Sequence, residues 1–241
     1  MKKIVLLAAA AVSLYSCNKL GEGEYEITGT VKGVKTGLAY LEKEGVMGMP
    51  QAIDTVKVVD GKFEIKGKTN EPEICYIQID KVNGKVPFIL EGGEIEITVD
   101  KDSIFKSKLA GTYSNEEHSK FNEESYKIQK KLEKKVKAFE TKNKALIDQV
   151  QTAKDTALAK KLQAEFEPIQ KEAQKSFEDF TFGYPKSHPK SFITVLILQR
   201  MANDPKYVGQ VEGIYNSLDP TLKKTKQAKS VKTTIDGLKK K

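Results

Sequence analysis

The sequence predicts an α+β protein: an N-terminal antiparallel β-sandwich or open barrel, followed by a mostly helical C-terminal region with a long helical hairpin. Three observations predict it. Between Tyr25 and Val99 apolar residues alternate with polar ones at period two, in short runs separated by glycine-bearing turns. From Thr112 the period changes to near 3.6. The charge balance changes at the same place: residues 18–110 hold 13 lysines against 16 acids, a balance of −3, whereas residues 111–241 hold 26 basic against 17 acidic residues, a balance of +9. Together these put a β-domain over 24–110 and a helical region over 111–241.

Residues 1–16 read as a secretory signal, with Lys2 and Lys3 ahead of an apolar core from Ile4 to Val12. That core is well short of the ~20 apolar residues a membrane-spanning helix needs. Leu14-Tyr15-Ser16-Cys17 closes it and resembles the bacterial lipobox, which implies cleavage before Cys17 and lipid attachment to its thiol. An ordinary export signal that contains a cysteine is the alternative. On the lipobox reading residues 17–23 form a tether. The protein is then expected in the cell envelope, lipid-anchored to a membrane facing the periplasm or the cell surface.

Tyr25, Ile27 and Val31 alternate with Glu26, Thr28 and Lys32 as a half-buried strand. Residues 33–37 turn into a second strand at Leu38. Val56 and Val58, then Asp60-Gly61, then Phe63 and Ile65 predict a tight hairpin, since Asp-Gly supplies the positive φ that a type I′ turn requires. Residues 74–79 form a further strand, and a second hairpin is predicted from Phe88 to Val99 around Glu91-Gly92-Gly93. About seven short strands at this spacing describe a sandwich or barrel.

Phe121, Ile128, Leu132, Val136, Phe139, Leu146 and Val150 form one helical stripe, interrupted at Ser125 and Asn143. Leu158, Leu162, Phe166, Ile169, Ala173, Phe177 and Phe180 form a second, with an eleven-residue repeat and a turn expected over 151–156. Pro168 predicts a kink or restart, and Gly183-Tyr184-Pro185 a break. Ser191 caps a short helix over 192–201 that is apolar nearly all round and therefore buried. Asp204-Pro205 and Asp219-Pro220 read as caps with proline at the first helical position. A weak last helix carries Val231, Ile235 and Leu238.

The inventory for chemistry is thin. With Cys17 acylated, Cys75 is the one thiol left, so neither an intrachain disulfide nor a Cys-x-x-Cys pair can form. Lying among apolar neighbours in a strand, Cys75 reads as a small buried hydrophobe. His118, at a polar helix start, and His188, before a proline, both read as exposed. Glu91, Glu94 and Glu96 read as solvated strand faces rather than a metal site. No phosphate-binding loop, zinc spacing or nucleophile elbow is present, so no catalytic residue, metal or cofactor is expected. The lysines of the basic half are interleaved with glutamates as on a solvated face, and exported proteins seldom meet nucleic acid, so nucleic acid is not expected as a partner.

The order of parts carries a resemblance. The lipobox, the strand beginning Tyr25-Glu26-Ile27-Thr28-Gly29-Thr30-Val31, the charged helical hairpin, His188-Pro189-Lys190-Ser191-Phe192 and Tyr215-Asn216-Ser217-Leu218-Asp219-Pro220 resemble the N-terminal region of TlpA-like thiol:disulfide interchange lipoproteins of Bacteroidetes. In that family a small β-domain of unknown function leads into a thioredoxin-like domain with a Trp-Cys-x-x-Cys site, and no residue here matches that pair. The functional expectation is a non-catalytic, membrane-tethered binding or interaction module. The alternative is the accessory half of a thiol oxidoreductase whose thioredoxin-like domain is missing or separately encoded. Expected partners are the membrane, through the lipid, and an envelope protein, a thioredoxin-like partner or a second copy.

Overall fold

A computed structural model describes residues 20–45 and 49–240. Eight strands, β1 (Glu24–Val31), β2 (Thr36–Glu44), β3 (Pro50–Val59), β4 (Lys62–Lys68), β5 (Glu73–Ile79), β6 (Lys85–Leu90), β7 (Gly93–Val99) and β8 (Lys108–Ala110), form one sheet. Its order is β6-β5-β2-β3-β4-β1-β7-β8. The sheet curls into a nearly closed barrel because alternate side chains of every long strand point into one apolar core. Ile27, Leu41, Ile65, Ile77, Phe88, Ile95 and Ile97 are among its fully buried members, and each such side chain contributes roughly 1.5–3 kcal/mol.

The first predicted hairpin is present but opens at once. Asp60 and Gly61 both have positive φ, 49° and 73°, and Val59 pairs with Lys62. Beyond that pair β3 stays with β2, while β4 pairs along its length with β1. Gly29 lies opposite Phe63, where a β-carbon would fall 1.9 Å from the ring, so only glycine admits this packing.

The second predicted hairpin does not form. β6 pairs with β5, and β7 runs parallel to β1 from Tyr25↔Gly93 to Val31↔Val99. The Glu91-Gly92 link therefore crosses between strands far apart in the sheet. The short strand β8, unforeseen in the sequence, pairs with β7 and becomes the second edge.

Six helices follow: α1 (Tyr113–Ala153), α2 (Thr156–Ser187), α3 (Phe192–Met201), α4 (Val208–Ser217), α5 (Pro220–Lys223) and α6 (Lys226–Lys239). The hairpin turn is tighter than predicted. Lys154 takes a left-handed conformation and Asp155 caps α2 by accepting from the N–H groups of Ala157 and Leu158. The helix does not restart at Pro168, and the expected break at Gly183-Tyr184-Pro185 is absent, since α2 continues to Ser187. Burial of Tyr184 and Pro185 in the helical core offsets the loss of helical hydrogen bonding at the proline. The predicted buried helix is α3, with Phe192, Val195 and Leu198 at 0% exposure. The last helix, α6, is better anchored than its sequence suggested, since Val231 and Ile235 are fully enclosed.

The barrel's two edges, β6 and β8, meet α1 at its start. Ile89 donates its N–H to Asn115 Oδ1 at 2.9 Å, and Asn115 Nδ2 donates to the Ile89 carbonyl at 2.7 Å. One turn on, Ser119 Oγ accepts from the Leu109 N–H at 3.2 Å and donates to the Leu109 carbonyl at 2.8 Å. Residues four apart lie on one helix face, so one face of α1 pairs with one residue on each open edge, Ile89 and Leu109. Glu91 holds the helix in place by accepting from the N–H and hydroxyl of Ser114, at 3.0 and 2.7 Å. Glu91 is thus a helix-capping group rather than the purely solvated residue the sequence suggested, a role favoured by the positive end of the helix dipole. Glu94 and Glu96 are exposed, as read.

Candidate functional site

A buried polar cluster forms where α1, α2 and α3 converge. Glu117 on α1 is only 5% exposed. Its Oε2 accepts from the Tyr184 hydroxyl at 3.1 Å, and its Oε1 lies 3.0 Å from Lys120 Nζ. Tyr184 Oη is in turn 3.0 Å from Ser191 Oγ, which accepts from the Ile193 N–H at 3.2 Å. The directions follow: with its one proton on Glu117, Tyr184 accepts from Ser191. Burial, with a smaller contribution from the Glu117 charge, holds the Tyr184 phenol well above its ordinary range, so it remains a donor.

His188, which caps the C-terminus of α2, stacks on Tyr184 with ring centroids 4.1 Å apart and planes at 4°. Its Nε2 is 3.6 Å from Glu117 Oε2, and its Nδ1 is 2.9 Å from Ser187 Oγ. The sequence separates these groups by some seventy positions, which is why no motif spacing reveals them. A cleft of about 310 Å³ opens beside the cluster, walled by Phe121, Phe180, Gly183, Tyr184 and His188.

The order Ser187, His188, Glu117 brings a hydroxyl, an imidazole and a carboxylate together, but the surroundings oppose nucleophilic catalysis. Ser187 sits at the C-terminal end of α2, where main-chain carbonyls gather, and contacts the Tyr184 carbonyl at 3.2 Å. An oxyanion forming there meets the negative end of the helix dipole instead of N–H donors. Ser191 is fully buried and committed to capping α3. The cluster therefore ties three helices together.

His118 corrects the reading of an exposed residue. It is 8% exposed, and its Nδ1 has no hydrogen-bond partner among the described residues. Burial pushes its imidazole down to about 4, so it is neutral at ordinary pH. His188 is partly buried rather than exposed. Cys75 lies inside the barrel at 0% exposure, and burial pushes its thiol up to about 12, which makes it an inert core residue as read. Cys17 lies outside the described residues. Among the described residues no group of three metal-ligating side chains is found, and no helix is long and apolar enough to cross a membrane.

The second candidate surface is the arm formed by residues 126–178. At 41 residues α1 is roughly 60 Å long, and for most of that length α2 is its one neighbour among the described residues. Two helices cannot enclose a full apolar stripe. Val136, Phe139, Leu146, Phe166 and Ile169 stay half-buried, although Phe139 and Phe166 pack at 5.0 Å. One face of the arm opens into a groove of about 550 Å³, with Ala138, Phe139, Pro168 and Ile169 along its floor. Lys135 and Lys142 line the α1 side, Glu165 and Glu172 the α2 side. They pair across it as Lys135–Glu172 and Lys142–Glu165.

Residues 25–118 match the family profile described as Domain of unknown function (DUF4369). The matched stretch takes in nearly all of the barrel and enough of α1 to include Asn115, which holds the β6 edge, and it ends one residue before Ser119, which holds the β8 edge. No curated protein matches the chain.

Proposed function

We propose that the chain is a non-catalytic lipoprotein of the cell envelope, tethered through Cys17, that acts as an interaction module and presents its helical arm as the contact surface. The observation that carries this reading is the half-buried apolar stripe of the arm, open along a groove that the other described residues leave uncovered. Exposed apolar surface of this kind, rimmed by charge, is what partner-binding faces present. The barrel is the opposite case: its core is closed, and α1 occupies its two edges, so it serves as the base from which the arm starts.

Two changes test the reading. Cys17→Ser is expected to move the protein from the membrane to the soluble fraction, and an unchanged membrane fraction contradicts the tether. Replacing residues 126–178 by a short turn keeps the Phe121–Phe180 stack and the junction below it. On native gels of solubilised membranes the full chain is expected to migrate in a complex and the armless chain alone. Equal migration contradicts the role of the arm.

The order of barrel then helices also supports the resemblance to the N-terminal region of TlpA-like thiol:disulfide interchange lipoproteins. With Cys75 enclosed, disulfide exchange would have to use cysteines other than this one. Reduction of insulin by the purified chain alone contradicts the non-catalytic reading.

A further inference from the structure

We infer that the groove of the arm is covered by a second copy of this chain, with the two arms parallel and related by a two-fold axis that runs along them. The inference rests on the reading of the arm as the contact surface and names its occupant.

The charge pattern carries the argument. Within the groove, cations stand on the α1 side only and carboxylates on the α2 side only: Lys135 and Lys142 against Glu165 and Glu172. When a second arm is laid face to face, two two-fold arrangements are available. An axis across the arms puts α1 on α1, which sets lysine against lysine and glutamate against glutamate. An axis along the arms puts α1 of one copy on α2 of the other. Because Lys135 is level with Glu172, and Lys142 with Glu165, this second arrangement brings each lysine to a carboxylate of the other copy. The surface is self-complementary in that arrangement alone, as an isologous interface requires.

The floor fits the same partner. Ala138 and Pro168 are exposed, and Phe139 and Ile169 are half-buried beside them. A small residue and a proline leave room for a facing helix to approach, and the two hairpins then bury one apolar seam as a four-helix bundle does. The intrachain ion pairs at the rim are solvent-accessible and individually worth little. They can therefore be re-shared between copies at small cost, and they select register and direction more than strength.

The test uses full-length chains carrying two different tags, co-expressed and recovered from membranes through one tag. Wild-type copies are expected to co-purify. K135E/K142E makes all four rim positions acidic, and E165K/E172K makes all four basic. Each variant is expected to lose self-association by about tenfold or more, as like charges are brought together, while the two variants expressed together regain it. Circular dichroism checks that each keeps its helix content. If one does not, Ala138→Glu, at an exposed helix position, supplies the same readout. Absence of co-purification between wild-type copies overturns the inference, even if the arm is found on another envelope protein, and that outcome leaves the arm's role as a contact surface standing. Variants that self-associate like wild type, or a mixed pair that fails to recover, overturn it as well. Absence of any partner on the arm contradicts the underlying reading instead.

Discussion

The side-chain amide of Asn115 faces the main chain of Ile89 as a ninth strand would, satisfying the N–H and the carbonyl that Ile89 turns away from β5, at 2.9 and 2.7 Å. Ile89 joins the two halves of the molecule. Its backbone belongs to the barrel, while its side chain, fully buried, packs in the helical core with Phe192 and Leu198. Asn115→Ala leaves a buried N–H and carbonyl without partners, at roughly 1–3 kcal/mol each. We expect a loss of about 2–5 kcal/mol in urea unfolding. Asn115→Asp keeps the acceptor but sets a second carboxylate oxygen against the Ile89 carbonyl at a site that is 0% exposed, and should destabilise at least as much as the alanine variant at pH 7. A loss below about 0.5 kcal/mol for Asn115→Ala, the range of an ordinary surface substitution, contradicts the edge-sealing role.

Tyr184→Phe removes one hydroxyl from two partners, Glu117 and Ser191. Both are buried, so the expected destabilisation is about 1–3 kcal/mol. Glu117→Ala also deprives Lys120 of its partner, but Lys120 is solvent-accessible and adds little. Thermal unfolding followed by circular dichroism measures both. Equal stability of Tyr184→Phe and wild type contradicts the linkage of α1, α2 and α3 through this hydroxyl.

His118 makes stability depend on pH. Its folded-state value of about 4 lies below the ordinary 6.5, so between those values the unfolded chain binds the extra proton. Stability from this group is complete above pH 6.5 and declines as pH falls toward 4, by roughly 3 kcal/mol in all. His118→Leu should reduce the difference in unfolding free energy between pH 7 and pH 4 by about that amount, and should not destabilise at pH 7 because Nδ1 has no partner to lose. An unchanged pH dependence in the variant contradicts the buried neutral state.

Cys75 should resist thiol reagents in the native protein and react at once in denaturant, because it is enclosed and its thiol is pushed up to about 12. Rapid native labelling, followed by mass spectrometry, would contradict its place in the core.

The sequence made the elements legible wherever periodicity decided them. Tyr25, Ile27 and Val31 point into the barrel as their alternation required, and the apolar run from Phe192 to Leu198 is enclosed. Pairing was less legible, because a strand's pattern records which face is buried and not which strand lies beside it. Glu91-Gly92-Gly93 has hairpin composition, yet the parallel pairing of β7 with β1 overrides it. Polar burial was not legible at all. Asn115, Glu117 and His118 have the composition of an exposed helix start, and only the barrel edges and α2 that close over them make them interior. The arm groove was partly legible: both stripes were readable, but the segregation of Lys135 and Lys142 from Glu165 and Glu172 depends on how α1 and α2 face each other.

Site-specific photo-crosslinking in intact membranes tests the central claim most directly. A photoreactive residue is placed at Ala138 or Pro168 on the groove floor, at Lys144 elsewhere on the exposed arm, and at Lys57 on the barrel. Protein adducts are expected from Ala138 and Pro168, and few or none from Lys144 and Lys57. Adducts spread evenly over all four positions, or confined to Lys57, would contradict it.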